Sequence, residues 1–178
     1  MTVKLGFYAL HEDVIMPEFA TKGSACFDLM YQGHGKQEYE GFNKQNKKFV
    51  RPLSKGQVYV GPGERVMVPT GLIMDIPKGY SVRIHPRSGV SLKAGLILCN
   101  NEAVIDSDYV EECFLLVYNR SSIGHALTSG DRIAQGELVK NEEYSLTQSK
   151  DKPKQKTERA GGMGSTGVKS ESKKRKKE

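Results

Sequence analysis

Tryptophan is absent from the 178 residues, and cysteine is limited to Cys26, Cys99 and Cys113. An odd cysteine count without C-x-x-C spacing argues against a disulfide framework and a thiolate zinc site. Packed small side chains in a reducing compartment, the cytoplasm, are the simpler expectation. His11, His34, His85 and His125 show no metal-ligand spacing. No run approaches 18 consecutive apolar residues, so no membrane-crossing helix is expected. Residues 1–7 lack the apolar stretch of a secretory leader. No internal repeat and no long helical period is present either.

Acidic residues are missing from two stretches, and this explains the net charge of +6. Residues 43–55 hold five Lys/Arg and no acid, and residues 168–178 hold six Lys/Arg against two acids. The rest of the chain is therefore slightly acidic. Basic character resides in an insertion and a tail, so nucleic acid is not expected as a partner of the fold itself. The terminal Lys173-Lys174-Arg175-Lys176-Lys177 has the composition of a nuclear signal and equally that of a solvated end.

What the chain does have is short apolar runs punctuated by turns. Hydrophobic content of 37% with 19 glycines suits one loop-rich β domain better than a helical bundle. Val58-Tyr59-Val60 meets Gly61-Pro62-Gly63, residues 65–68 meet Pro69-Thr70-Gly71, and residues 72–76 meet Pro77-Lys78-Gly79 before a run at 80–84. Further strands are expected at 95–99, 112–118 and 132–139. Strands this short and regular predict an all-β sandwich or barrel. The expected organisation is a β domain over residues 1–143, a flexible arm over 144–167 and a basic tail over 168–178. Within the domain, residues 33–56 read as a polar insertion, a tolerated surface loop that Phe42, Phe49 and Leu53 pin down.

Four segments carry chemistry. Pro86-Arg87-Ser88-Gly89 has the parts of a phosphate clamp: a planar guanidinium fork, a hydroxyl, and a glycine that lets backbone N–H groups approach. Taken alone it is an ordinary turn. Asn100-Asn101-Glu102-Ala103-Val104-Ile105-Asp106-Ser107-Asp108-Tyr109 places carboxylates beside an aromatic, as a hairpin that orients a water and offers a flat face to a sugar or base. Arg132-Ile133-Ala134-Gln135 alone reads as an amphipathic strand. Residues 161–167, Gly-Gly-Met-Gly-Ser-Thr-Gly, form a cradle of N–H groups for an anion behind Arg159, or a plain linker.

With Ala25-Cys26-Phe27-Asp28-Leu29 upstream, these segments stand in the order of the five motifs of trimeric dUTP diphosphatases (dUTPases), a family the chain resembles from about residue 3 to 167. The resemblance implies a jelly-roll-like β-barrel with a mobile C-terminal arm. It implies hydrolysis of dUTP to dUMP and pyrophosphate in a homotrimer whose sites are shared between subunits. Asp106 would orient the attacking water. Arg87, Ser88, Gly89, Gln135 and Arg159 would hold the triphosphate. Backbone groups around Asn100, Val104 and Ile105 would pair with the uracil edge, and Tyr109 would stack beneath deoxyribose. Gly162, Met163, Gly164 and Ser165 would close over the nucleotide. Mg²⁺ would ride on the phosphates, with Asp28 binding its waters and Arg132 in a structural pairing.

Several positions depart from the family pattern. Ala103, Glu111 and Cys26 stand where glycine is usual, and Met163 stands where an aromatic is usual. Ala160 alone separates Arg159 from the paired glycines. Ala103 and Glu111 raise the question of turn geometry, because both tolerate positive φ poorly. Two alternatives remain at this level: a dCTP deaminase or bifunctional enzyme of the same fold, with Glu102 or Glu111 as the activating acid, and a non-enzymic nucleotide-binding module that signals through residues 33–56.

Overall fold

The computed structural model describes residues 2–158, 161 and 162, and every chain-wide statement below refers to these. Thirteen strands and one short helix follow in the order β1 (Gly6–Ala9), β2 (Phe27–Met30), β3 (Glu38–Phe42), β4 (Lys48–Pro52), β5 (Val58–Val60), β6 (Arg65–Pro69), β7 (Leu72–Asp75), β8 (Tyr80–Pro86), α1 (Ser88–Ala94), β9 (Leu96–Leu98), β10 (Ala103–Asp106), β11 (Phe114–Asn119), β12 (His125–Leu127) and β13 (Arg132–Lys140). The result is the all-β fold expected from the turn spacing, in the jelly-roll-like form that the resemblance implies. Runs rich in Val, Ile, Leu and Tyr make the strands because branched and aromatic side chains pack well on a pleated surface.

The strands form a four-stranded sheet ordered β10-β8-β13-β2, a five-stranded sheet ordered β4-β3-β6-β11-β9, and two strand pairs, β1-β7 and β12-β5. Alternation assigns the faces. In the four-stranded sheet Phe27, Leu29, Val82, Ile84 and Ala134 point inward and are buried. From the five-stranded sheet Val66, Val68, Leu96, Leu98, Leu115 and Val117 meet them in one core. Burial at roughly 25 cal/mol per Å² of apolar area supplies the main drive for this arrangement. Gly136 of β13 lies across from Phe27, and a Cβ there would come within 2.6 Å of the Phe27 ring. A side chain at 136 would push that ring out of the core.

Residues 33–56 differ from the loop expected of them. They fold as a hairpin, β3 paired with β4, and β3 also pairs with β6, so the insertion widens the five-stranded sheet. Tyr39 and Phe49 face inward edge to face at 6.3 Å. Arg51 forms a bidentate pair with Glu64 at 2.6 and 2.8 Å and lies 3.9 Å from the Phe49 ring centroid. Lys48 pairs with Glu40 at 2.7 Å. Two of the five basic residues of 43–55 are thus committed to carboxylates.

The Asn100–Tyr109 run is also not a hydrogen-bonded hairpin. Strand β9 pairs with β11 while β10 pairs with β8, so the turn between them steps from one sheet to the other. The left-handed residue of that turn is Asn101, φ 56°, a residue type that tolerates this region. Ala103 and Glu111 have no positive φ, so both replace glycine without backbone strain.

The chain divides into two units, residues 1–143 and 144–178. In the second, residues 144–158 are exposed and hold no helix or strand. No helix among the described residues is long and apolar enough to cross a membrane.

Candidate active site

Sheet register builds the first half of the site. Gln135 of β13 sits between Asp28 of β2 and His85 of β8, so the three share one row on the outer face. The two inward neighbours of Asp28, Phe27 and Leu29, anchor its backbone in the core. Its carboxylate is buried and takes Arg87 Nε at 2.9 Å on Oδ1 and Arg132 Nη1 at 3.3 Å on Oδ2. Arg87 also donates to the Arg132 carbonyl at 3.2 Å, and Gln135 Nε2 donates to the Pro86 carbonyl at 3.2 Å. One carboxylate between two guanidiniums leaves net positive charge. Each of its oxygens keeps lone-pair capacity for a water.

Arg87 follows β8 as the N-cap of α1 and makes no side-chain cap bond, and the first N–H groups of the helix have no intrahelical partner. Ser88 and Gly89, the first helical residues, are exposed beside it. The expected phosphate turn is therefore a strand-to-helix junction. Helix α1 stops at Gly95, φ 65°, whose N–H caps the Ser91 carbonyl at 3.1 Å. A Cβ at Gly95 would come within 3.0 Å of Ser121.

Asp106 belongs to a different place. It ends β10 opposite Ser81, whereas Asp28 and Gln135 align with His85. Four residues along β8 amount to about 13 Å, and the three strand steps from β10 to β2 to about 14 Å. The two carboxylates are thus roughly 20 Å apart within one chain. Asp106 is exposed and has no ion pair or side-chain hydrogen bond among the described residues. As an edge strand, β10 leaves alternate N–H and C=O groups turned away from β8. Val104 is exposed on this edge, Ile105 packs against the core, and Asn100 is exposed in the preceding turn.

Tyr109 follows in a turn closed by its N–H to the Asp106 carbonyl at 3.2 Å, and its hydroxyl donates to the Glu112 carbonyl at 3.0 Å. Burial, then the neighbouring Cys113, Glu111 and Glu112, push the Tyr109 phenol above its usual range, so it stays protonated and able to donate. Burial likewise raises the thiols of Cys26, Cys99 and Cys113, the last to about 12, which suits packed side chains rather than nucleophiles.

Of the remaining expected residues, Gly162 is exposed, while Arg159, Met163, Gly164 and Ser165 lie outside the described residues, as does the basic tail. Sequence reasoning missed the surroundings of the Asp28 row. His85 Nε2 lies 3.0 Å from Glu137, its Nδ1 3.6 Å from Glu102, and Arg83 3.6 Å from Glu102. The two-residue alternation of β8 was the available signal, since it puts Arg83 and His85 on the outer face. No group of three or more His, Cys, Asp and Glu able to hold a metal by themselves occurs among the described residues.

On this jelly-roll-like fold a buried carboxylate flanked by two arginines stands at one sheet end, and a carboxylate with no ion pair among the described residues stands beside an aromatic on a free strand edge. The dUTPase family model matches residues 53–167. The deoxyuridine 5′-triphosphate nucleotidohydrolase of Caulobacter vibrioides is 35% identical over 157 residues, 88% of each chain. That of Treponema denticola is 33% identical over 162 residues, 91% of this chain and 97% of the relative. In fold, the dUTPase of Staphylococcus bacteriophage 80alpha, solved with dUPNHPP, superposes with a TM-score of 0.72 at 21% identity, over 94% of this chain and all of that one. The chain belongs to the dUTPase family.

Proposed function

We propose that this chain hydrolyses dUTP to dUMP and pyrophosphate, with Asp106 orienting the water that attacks the α-phosphorus. It is a dUTP diphosphatase in this reading, and the effect in its cell is to limit uracil in DNA and to supply dUMP. The observation that carries the proposal is the division of the site. An arginine-rich cluster around Asp28 suits a triphosphate, and an exposed, unpaired Asp106 suits a base that handles water.

Arg87, Ser88 and Gln135 hold the phosphates, Arg132 fixes Asp28, and Arg159 with Gly162, Met163, Gly164 and Ser165 covers the bound nucleotide. Preorganised donors of this kind stabilise charge as it shifts between phosphate oxygens. The residues fit Mg²⁺ held through water: Asp28 offers hard oxygen atoms with lone pairs left after its two arginine contacts. When bound, the ion would neutralise charge on the triphosphate.

Selectivity follows from the β10 edge. Backbone donors and acceptors near Asn100, Val104 and Ile105 match the uracil edge, and cytosine reverses that pattern at one position. Each buried group left unpaired costs about 1–3 kcal/mol. Tyr109 lies under the sugar and leaves no room for a 2′-hydroxyl.

The separation of Asp106 from Asp28 supports a homotrimer in which one chain gives the Asp28, Arg87 and Gln135 segments, a second the Asp106 strand and a third the arm. A structural Mg²⁺ ion is described for the dUTPase of phage phi11, a related fold.

One assay tests the proposal: turnover of each deoxynucleoside triphosphate and of UTP, read by pyrophosphate and ammonia release. dUTP should be hydrolysed far faster than dCTP, dTTP or UTP. Comparable kcat/KM for dCTP would overturn uracil selectivity, and released ammonia would move the assignment to a deaminase.

A further inference from the structure

Among the described residues, the inserted segment reaches the far end of the β10–β11 connection through one ion pair. Lys36, in the turn before β3, places Nζ 2.6 Å from Glu112 Oε2 and 5.3 Å from the Phe114 ring centroid. Glu112 is buried, and its other carboxylate oxygen accepts the Gly71 N–H at 3.0 Å. Its backbone carbonyl is the acceptor for the Tyr109 hydroxyl. Between β10 and β11 this is the only side-chain hydrogen bond made by residues 107–111 among the described residues, and all five are exposed. The loop is held at its far end by a residue whose own carboxylate answers to Lys36.

We propose that Lys36 is a positioning residue for catalysis: through Glu112 it fixes the plane of Tyr109 and so sets discrimination between deoxyribose and ribose. This rests on the reading of Tyr109 as the sugar platform. A flat ring excludes a 2′-hydroxyl only if its distance from the sugar is fixed. Shifts of about 1 Å in a positioned group cost up to ~10²-fold in rate. With Lys36 absent, the Glu112 carboxylate keeps the Gly71 N–H but loses its cation. The peptide that carries the Tyr109 acceptor then keeps the Cys113 N–H bond to the Leu72 carbonyl at 2.8 Å but loses the anchoring of the Glu112 side chain through Lys36. Lys48, on the same insertion, pairs with Glu40 rather than Glu112 and should have no such effect.

The test uses the full chain and compares kcat/KM for dUTP and UTP in the wild type, Lys36→Met, Lys36→Arg, Glu112→Gln and Lys48→Met. Lys36→Met and Glu112→Gln should lower the dUTP to UTP ratio about tenfold or more, chiefly through a higher KM for dUTP. Lys36→Arg should restore the ratio and Lys48→Met should match the wild type. Amide exchange of residues 107–111 without ligand should rise in Lys36→Met and not in Lys48→Met, a readout that requires no turnover. If Lys36→Met fails to fold, Glu112→Gln carries the same comparison. A folded Lys36→Met chain with the wild-type ratio, or with unchanged exchange in the loop, overturns the inference. Tyr109→Ala shows which part failed. If it also leaves the ratio unchanged, the sugar-platform reading falls and takes the inference with it. If it abolishes the preference while Lys36→Met does not, only the role of Lys36 falls.

Discussion

At one end of the four-stranded sheet Asp28 is buried and gripped by Arg87 and Arg132; at the other Asp106 stands exposed with no ion pair among the described residues. The difference follows from position in the sheet. Strand β2 also lies at an edge, but long arginines from the end of β8 and from β13 fold over its outer face and supply the charge that a buried carboxylate needs. Beside β10 the arginine is Arg83, opposite Val104, but it lies 3.6 Å from Glu102, and Asp106 has no ion pair among the described residues. A phosphate-holding region gains from groups fixed before the ligand arrives, whereas a base that handles water must not be spent on an internal partner.

The sharpest way to break this contrast is to remove the charge of the free carboxylate. Asp106→Asn should lower kcat on dUTP by ~10²–10⁴-fold while leaving the melting temperature and nucleotide affinity close to the wild type. Near-full turnover would mean that another group orients the water. Arg87→Ala should cost about 10²-fold in kcat/KM by removing a phosphate donor and freeing one side of Asp28. Mixing the two impaired chains then tests their separation. If each site draws Asp106 and Arg87 from different chains, the mixture turns over dUTP faster than either variant alone. No recovery after unfolding and refolding the chains together would place both residues in one chain's site.

A smaller effect is expected from Arg132→Met. Arg132 is half exposed and its 3.3 Å contact with Asp28 is the longer of the two. Its loss should raise KM for dUTP a few-fold and cost roughly 1 kcal/mol of stability, read from denaturant unfolding. A loss as large as that of Arg87→Ala would make Arg132 a direct phosphate ligand.

Much of this arrangement is legible in the chain because short apolar runs and Gly/Pro turns are local signals. Val58-Tyr59-Val60 and the start of β13 at Arg132 need no partner to be recognised. The pairing of strands is not local. Asp28 meets Arg132 across 104 residues, and nothing in either motif states that contact. The step of the Asn100–Tyr109 run from one sheet to the other is equally hidden, since a hairpin and a crossover share the same turn residues. The inserted hairpin was missed because its strands, EYEGF and KFVRP, mix charged residues with a glycine and a proline and show little apolar alternation. Tyr39 and Phe49 are its main inward anchors, and its Lys48–Glu40 and Arg51–Glu64 pairs exist only once the strands are paired. Helix α1 is seven residues long and begins Ser-Gly, a weak helix signal that the sheet end overrides.

The hairpin allows the mildest test, one of pH. Burial alone would raise the Glu64 carboxyl, but the Arg51 hydrogen bonds and the Gly61 N–H overcome it and hold it below the ordinary value of 4.5. A depressed folded-state pKa gives stability that is full above the unfolded value and is lost as pH falls through the lower folded one. Arg51→Met should therefore lower the melting temperature by a few degrees at neutral pH, equivalent to about 1–2 kcal/mol. The gap to the wild type should close as pH falls below 4.5 and on through the lower folded-state value, beyond which Glu64 is protonated in both proteins. Melting curves from neutral to about pH 3 decide it, because only a carboxylate-dependent pair predicts convergence. A constant gap across that range would mean that Arg51 acts through its stacking on Phe49 instead.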